Sequence, residues 1–111
     1  MSDLDPQLPQ VMIDDLGDDA VILDVRDQSQ WEAGHAPAAV HIPLAQLSDR
    51  LDELPRVEGS LPVTCGGGTK GKKATALLLE HGIDAAELKG GMRGWKAKGR
   101  PWSTEIDRKR P

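Results

Sequence analysis

The segment LPVTCGGGTKGKK, residues 61–73, carries the only cysteine of the chain. Cys65 ends an apolar run, three glycines follow it, and Lys70, Lys72 and Lys73 stand just beyond. Glycines let a backbone curl so that successive N–H groups face one hollow, and a helix beginning there adds the positive end of its dipole. Such a nest favours an anion. A cysteine on its rim is favoured in the ionised form, the form in which sulfur attacks. The plainer reading is that Cys65 is a small buried hydrophobe closing a strand, followed by a turn and solvated lysines. Attack of a thiolate on sulfur needs no neighbouring base, so the lack of an adjacent histidine is compatible with sulfur chemistry. It argues against protease-like acyl transfer, in which a cysteine is paired with a histidine.

Two other patterns share these letters. Gly66, Gly68 and Gly71 fit G-x-G-x-x-G, with Glu87 at the distance of a ribose-binding acid. The unit lies in the second half of a short chain, which leaves too few strand and helix pairs for a dinucleotide cleft. Gly66, Gly71 and Lys72 also approach a P-loop, but Lys73 stands where a magnesium-binding hydroxyl belongs. Both nucleotide readings are therefore weaker than the thiol reading.

The elements that must hold this loop follow from the pattern of apolar runs. AVILDV, residues 20–25, suits a strand buried on both faces, with Asp24 and Arg26 at its exit. A short helix around Ser29 to Ala33 is stopped by Gly34 and Pro37, and AAVHI offers a second strand. Leu44, Leu47, Leu51 and Leu54 recur at helical spacing and predict one amphipathic helix ended by Pro55. LPVTC is the third strand, and KKATALLLEH a helix with Gly82 as its cap. IDAAELK is a weak strand, GGM a turn, and RGWKAKG a short helix. Strands alternating with helices predict an α/β domain with a mostly parallel sheet, whose sites lie beyond the carboxyl ends of its strands. The expected domain spans residues 1–102, with 103–111 as a solvated tail.

The 111 residues allow one modest core, built without Phe or Tyr and with Trp31, Trp95 and Trp102 as its large plates. A net charge of -4 argues against a general nucleic-acid or membrane surface. The acidic, proline-interrupted start lacks the features of a secretion signal, and no run reaches membrane-spanning length, so a cytoplasmic protein is expected. One cysteine forms no internal disulfide and no metal cage, so chemistry at Cys65 would proceed without metal or cofactor.

The chain as a whole resembles the rhodaneses of the small, single-domain type. ILDVRDQSQWEAGHAPAAVHIPL resembles the first signature of that family, LPVTCGGGTKGKKATALLLEHG its active-site loop and helix, and ELKGGMRGWKAKGRP its closing segment. The resemblance covers roughly residues 8–102 and implies a five-stranded parallel sheet flanked by helices on both faces. It further implies a thiosulfate sulfurtransferase in which Cys65 takes sulfane sulfur from a small anionic donor such as thiosulfate. The persulfide is then discharged to cyanide, a thiol or a protein acceptor. Gly66, Gly67, Gly68, Thr69, Lys70 and Gly71 would cradle that sulfur, with Lys70 where the family commonly places a basic residue. Two positions depart from the family pattern. Gly66 stands where a bulky basic residue is common, and Gly71 where Ser or Thr is. Ordering so glycine-rich a loop costs conformational entropy, so turnover or donor preference could be altered.

Asp24 and Arg26 match the family's DVR, either orienting the loop or forming a buried ion pair; for Arg26 the ion pair is the expectation. His35 is expected to be structural, His41 and His81 have no motif context, and Arg93 is expected as an exposed helix residue rather than a pocket residue. A sulfur carrier without turnover is the second reading. A phosphatase or arsenate reductase is the third, disfavoured because those enzymes use a loop one residue longer that ends in Arg.

Overall fold

The computed structural model describes residues 8–66 and 69–104. Five strands form one parallel sheet in the order β1-β5-β4-β2-β3. They are β1 Gln10–Val11, β2 Leu23–Asp24, β3 Val40–His41, β4 Leu61–Thr64 and β5 Ala85–Leu88. The helices are α1 Gln28–Ala33, α2 Leu44–Leu47, α3 Lys70–Glu80 and α4 Gly91–Ala97.

Strand alternation sends neighbouring side chains to opposite faces. Leu23 and Val25, then Leu61, Val63 and Cys65, pack with Leu47 of α2 and with Ala74 and Leu78 of α3. Ile22 and Leu88 pack on the other face with Trp31 of α1 and with Met92 and Trp95 of α4. Helices thus cover both faces, as the family resemblance implies. The register pairs Asp24 with His41 on one side and Thr64 on the other, so β2 and β4 end side by side. The order in which strands are added reverses between these two parallel strands: β2 leads outward to β3, and β4 leads the other way to β5. Crevices at such a reversal are where open α/β sheets bind ligands.

One expectation needs correction, one is strengthened, and one strand was not foreseen. The leucine-spaced segment is not one helix: α2 stops at Leu47, and a 3₁₀ turn covers Leu51–Glu53. Ser48 and Asp49 are poor helix formers. Arg50 leaves helical geometry at φ -126° and ψ 27°, its amide held by the Leu47 carbonyl. Leu44, Leu51 and Leu54 still pack on the same core, so the apolar stripe holds although the helix does not. IDAAELK, weak as a strand by composition, gives β5, all four residues of which are buried between β1 and β4. Strand β1, unforeseen behind Pro6 and Pro9, sits at the sheet edge, where a proline is tolerated. The Pro9 carbonyl there accepts the Glu87 amide at 2.8 Å.

The tail expected to be solvated from residue 103 is anchored at its first residue. His35 and Ser103 exchange both backbone hydrogen bonds at 2.8 Å. Beside them Gly34 adopts φ 148°, and a Cβ there would lie 1.8 Å from Trp102 Nε1. Gly34 is therefore required twice, by its backbone and by the indole against it. Residues 105–111 of the expected tail and 1–7 of the expected domain lie outside the described residues. Among the described residues no helix is long and apolar enough to cross a membrane.

Candidate active site

Cys65 follows directly on β4 and is only 5% exposed, the small accessible part of it at the base of a pocket of about 360 Å³. Arg26 at the exit of β2 forms one wall, and Asp27 and Gln30 from the start of α1 form another. The loop contributes Gly66, Thr69 and Lys70, and Arg93 enters from α4. Gly67 and Gly68, expected to complete the cradle, lie outside the described residues.

The loop is fixed by what it does for a helix. The first amides of α4 have no partner within their own helix and need an acceptor. Met92 donates to the Cys65 carbonyl at 2.8 Å, and Arg93 donates to the Gly66 carbonyl at 3.3 Å. Thr64 Oγ1 also donates to the Cys65 carbonyl, at 3.1 Å. The start of α4 is thus tied through its backbone to the cysteine, a link no spacing rule in the sequence announces.

Gly71 lies in the first turn of α3, facing the cysteine. A Cβ built there would come within 3.3 Å of Cys65 Sγ and 3.7 Å of Glu87 Oε2. At the other departure, Gly66, a Cβ would meet Gln30 Nε2 at 3.8 Å and nothing nearer among the described residues. One glycine is therefore tightly enclosed and the other has ordinary room.

Arg26 and Asp24 form the buried ion pair expected for them. Arg26 Nη2 lies 2.7 Å from Asp24 Oδ2, its Nε 3.0 Å from both carboxylate oxygens, and its backbone amide 3.0 Å from Oδ1. Nη2 also donates to the Gly34 carbonyl at 2.7 Å, and the guanidinium lies over Trp102 at 5.7 Å. This pair joins the end of β2 to the end of α1 while Arg26 still contributes to the pocket. Behind it, Trp31 stacks on His35 at 3.5 Å and on His41 at 4.8 Å. His41 Nε2 meets the Arg26 carbonyl at 2.8 Å, so His41, which had no motif context, supports the pocket wall. His35 is fully buried.

Lys70, the expected donor-binding cation, is held by Asp27 Oδ1 at 2.7 Å. Asp27, Gln30 and Arg93 are the pocket residues that the sequence reading did not assign. Arg93 is exposed, as expected, and also lines the pocket. The signal for Asp27 was its place at the start of α1, directly after Arg26.

Lys72 and Glu87, the residues on which the nucleotide patterns depended, are spent on each other. Lys72 Nζ lies 3.0 and 3.2 Å from the two Glu87 oxygens, and Gln10 Nε2 adds a third contact at 3.3 Å. Glu87 is buried within β5, its carboxylate taken up by Lys72 and Gln10.

A parallel sheet with a cysteine-bearing loop after its middle strand, tied to the helix that follows the next strand, defines an α/β domain with a single cysteine at its strand ends. Residues 8–98 match the rhodanese-like domain family, and the chain belongs to that family. An HTH-type transcriptional regulator of Mycobacterium tuberculosis is 32% identical over 85 residues, 75% of this chain and 37% of that protein. YrkF of Bacillus subtilis, named as a candidate sulfur carrier protein, is 32% identical over 78 residues, 69% of this chain and 42% of that protein. The chain thus spans less than half the length of either relative. A rhodanese-related protein of Thermoplasma volcanium shares the fold, with a TM-score of 0.77 at 24% identity over 87% of this chain and 99% of that one.

Proposed function

We propose that the protein is a sulfurtransferase working through a persulfide on Cys65. The observation that carries the reading is the placement of Cys65 at the base of a pocket lined by Arg26, Lys70 and Arg93, in a chain of the rhodanese-like family. Sulfur of Cys65 attacks the outer sulfur of thiosulfate; the sulfur–sulfur bond of the donor breaks, and its electron pair leaves with sulfite. The outer sulfur stays on Cys65 as a persulfide. An acceptor, cyanide in an assay or a thiol, then attacks the terminal sulfur and returns Cys65 to its first state. With no second cysteine in the chain, discharge must go to an outside molecule.

The test is to incubate reduced protein with thiosulfate, look for one added sulfur by intact mass, and measure thiocyanate formed from cyanide, with Cys65→Ser as control. Loading and turnover that vanish in the control are expected. Absence of loading from thiosulfate and from low-molecular-weight persulfides alike would end this reading. The similarity to YrkF favours a second one, in which sulfur is received from and passed to proteins. Efficient loading with negligible thiocyanate formation would favour that carrier role.

A further inference from the structure

Resting on the sulfurtransferase reading, we infer that Arg93 of α4, and not Lys70 of the loop, grips the oxyanion end of the sulfur donor. Among the described residues three cationic side chains line the pocket, and two of them are paired with carboxylates. Arg26 is locked on the buried Asp24 at 2.7 Å, and Lys70 on Asp27 at 2.7 Å. Among the described residues the Arg93 guanidinium makes no ion pair. Of the described cations Arg26, Lys70 and Arg93, only Arg93 is left without a carboxylate partner once Asp24 and Asp27 are assigned.

Position supports the assignment. The Arg93 amide is bonded to the carbonyl of Gly66, the residue next to Cys65, so the base of its side chain moves with the nucleophile. A donor whose terminal sulfur reaches Cys65 leaves its charged end toward the exposed side of the pocket, where a guanidinium with no competing carboxylate offers a planar fork to oxyanions. Lys70 would first have to leave Asp27. The favoured substrates are small donors whose negative charge lies next to the transferable sulfur, such as thiosulfate or a thiosulfonate, ahead of donors lacking charge there.

The test is thiosulfate-to-cyanide kinetics on Arg93→Gln and on the double variant Asp27→Asn with Lys70→Gln, which removes the competing pair without changing net charge. Binding of thiosulfate to Cys65→Ala, with and without Arg93→Gln, is measured by calorimetry. Arg93→Gln is expected to raise KM for thiosulfate about tenfold with kcat within about twofold, the range for one solvent-exposed, charge-assisted contact. The double variant should raise KM by less than Arg93→Gln does, and Arg93→Gln should weaken binding to Cys65→Ala by about the same tenfold factor. An unchanged KM in Arg93→Gln, a larger loss in the double variant, or no thiosulfate binding by Cys65→Ala overturns the assignment while leaving turnover by the native protein intact. Conversely, Arg93-dependent binding by a protein that never loads sulfur upholds the anion site and sinks the sulfurtransferase reading.

Discussion

Replacing Asp24 with Ala should be among the most damaging single changes available to this chain. The carboxylate is fully buried, and the Arg26 side chain it neutralises is only 7% exposed, so solvent screens the pair little. Asp24→Ala removes three side-chain contacts at 2.7 to 3.0 Å and one to the Arg26 amide at 3.0 Å. What remains for the guanidinium is the Gly34 carbonyl at 2.7 Å and the face of Trp102 at 5.7 Å, neither of which carries a compensating charge. Stranding a buried charge in this way costs about 3–5 kcal/mol. In a domain of roughly 100 residues each kcal/mol corresponds to about 4 °C, so the expected fall in Tm is about 12–20 °C. Removing both charges together, as Asp24→Leu with Arg26→Met, should restore most of that loss, because the desolvation penalty disappears with the ions. Thermal and urea unfolding followed by circular dichroism on the single and double variants measures both effects. A loss below about 1 kcal/mol for Asp24→Ala, or a double variant no better than the single, would refute the view of this pair as a buried clamp.

Further outcomes are expected at four positions. Gly66→Arg, whose Cβ would have ordinary van der Waals room against Gln30 at 3.8 Å, should fold normally and raise kcat/KM for thiosulfate severalfold by adding a cation beside Cys65, read by thiocyanate formation. Gly71→Ser should retain the fold but change the rate of sulfur loading, because its Cβ presses on Cys65 Sγ at 3.3 Å; equal loading rates by intact-mass time courses would show that the contact does not matter. Gly34→Ala should displace Trp102 and cost on the order of 3 kcal/mol, visible as a change in tryptophan emission and an earlier urea midpoint. Lys72→Met should cost about 1 kcal/mol in urea unfolding, because Glu87 loses its cation within β5 while the lysine itself is half-exposed.

The order of elements, the apolar strands and the identity of Cys65 as the reactive candidate were legible in the sequence because each rests on local signals. Alternation, helical spacing and the glycine run after an apolar stretch act over a few residues. The cap at Gly82, with φ 76°, was readable for the same reason. The break after Leu47 was not, because the four leucines meet the core with or without a continuous helix. Strand β5 is also a tertiary outcome: AAEL has little intrinsic preference for extension and is held so by β1 and β4 on either side.

The pocket's electrostatics were decided only in three dimensions. In the sequence Lys70, Lys72 and Lys73 form one basic cluster, yet Lys70 meets Asp27 from 43 residues away and Lys72 meets Glu87 on β5. Arg93, 28 positions beyond Cys65, reaches the pocket because the first amides of α4 need acceptors and the cysteine loop supplies them. Sequence thus singled out Cys65 as the candidate reactive residue. Which cations remain uncommitted around it depends on pairings across the sheet, and charges cancel by distance in space rather than by distance along the chain.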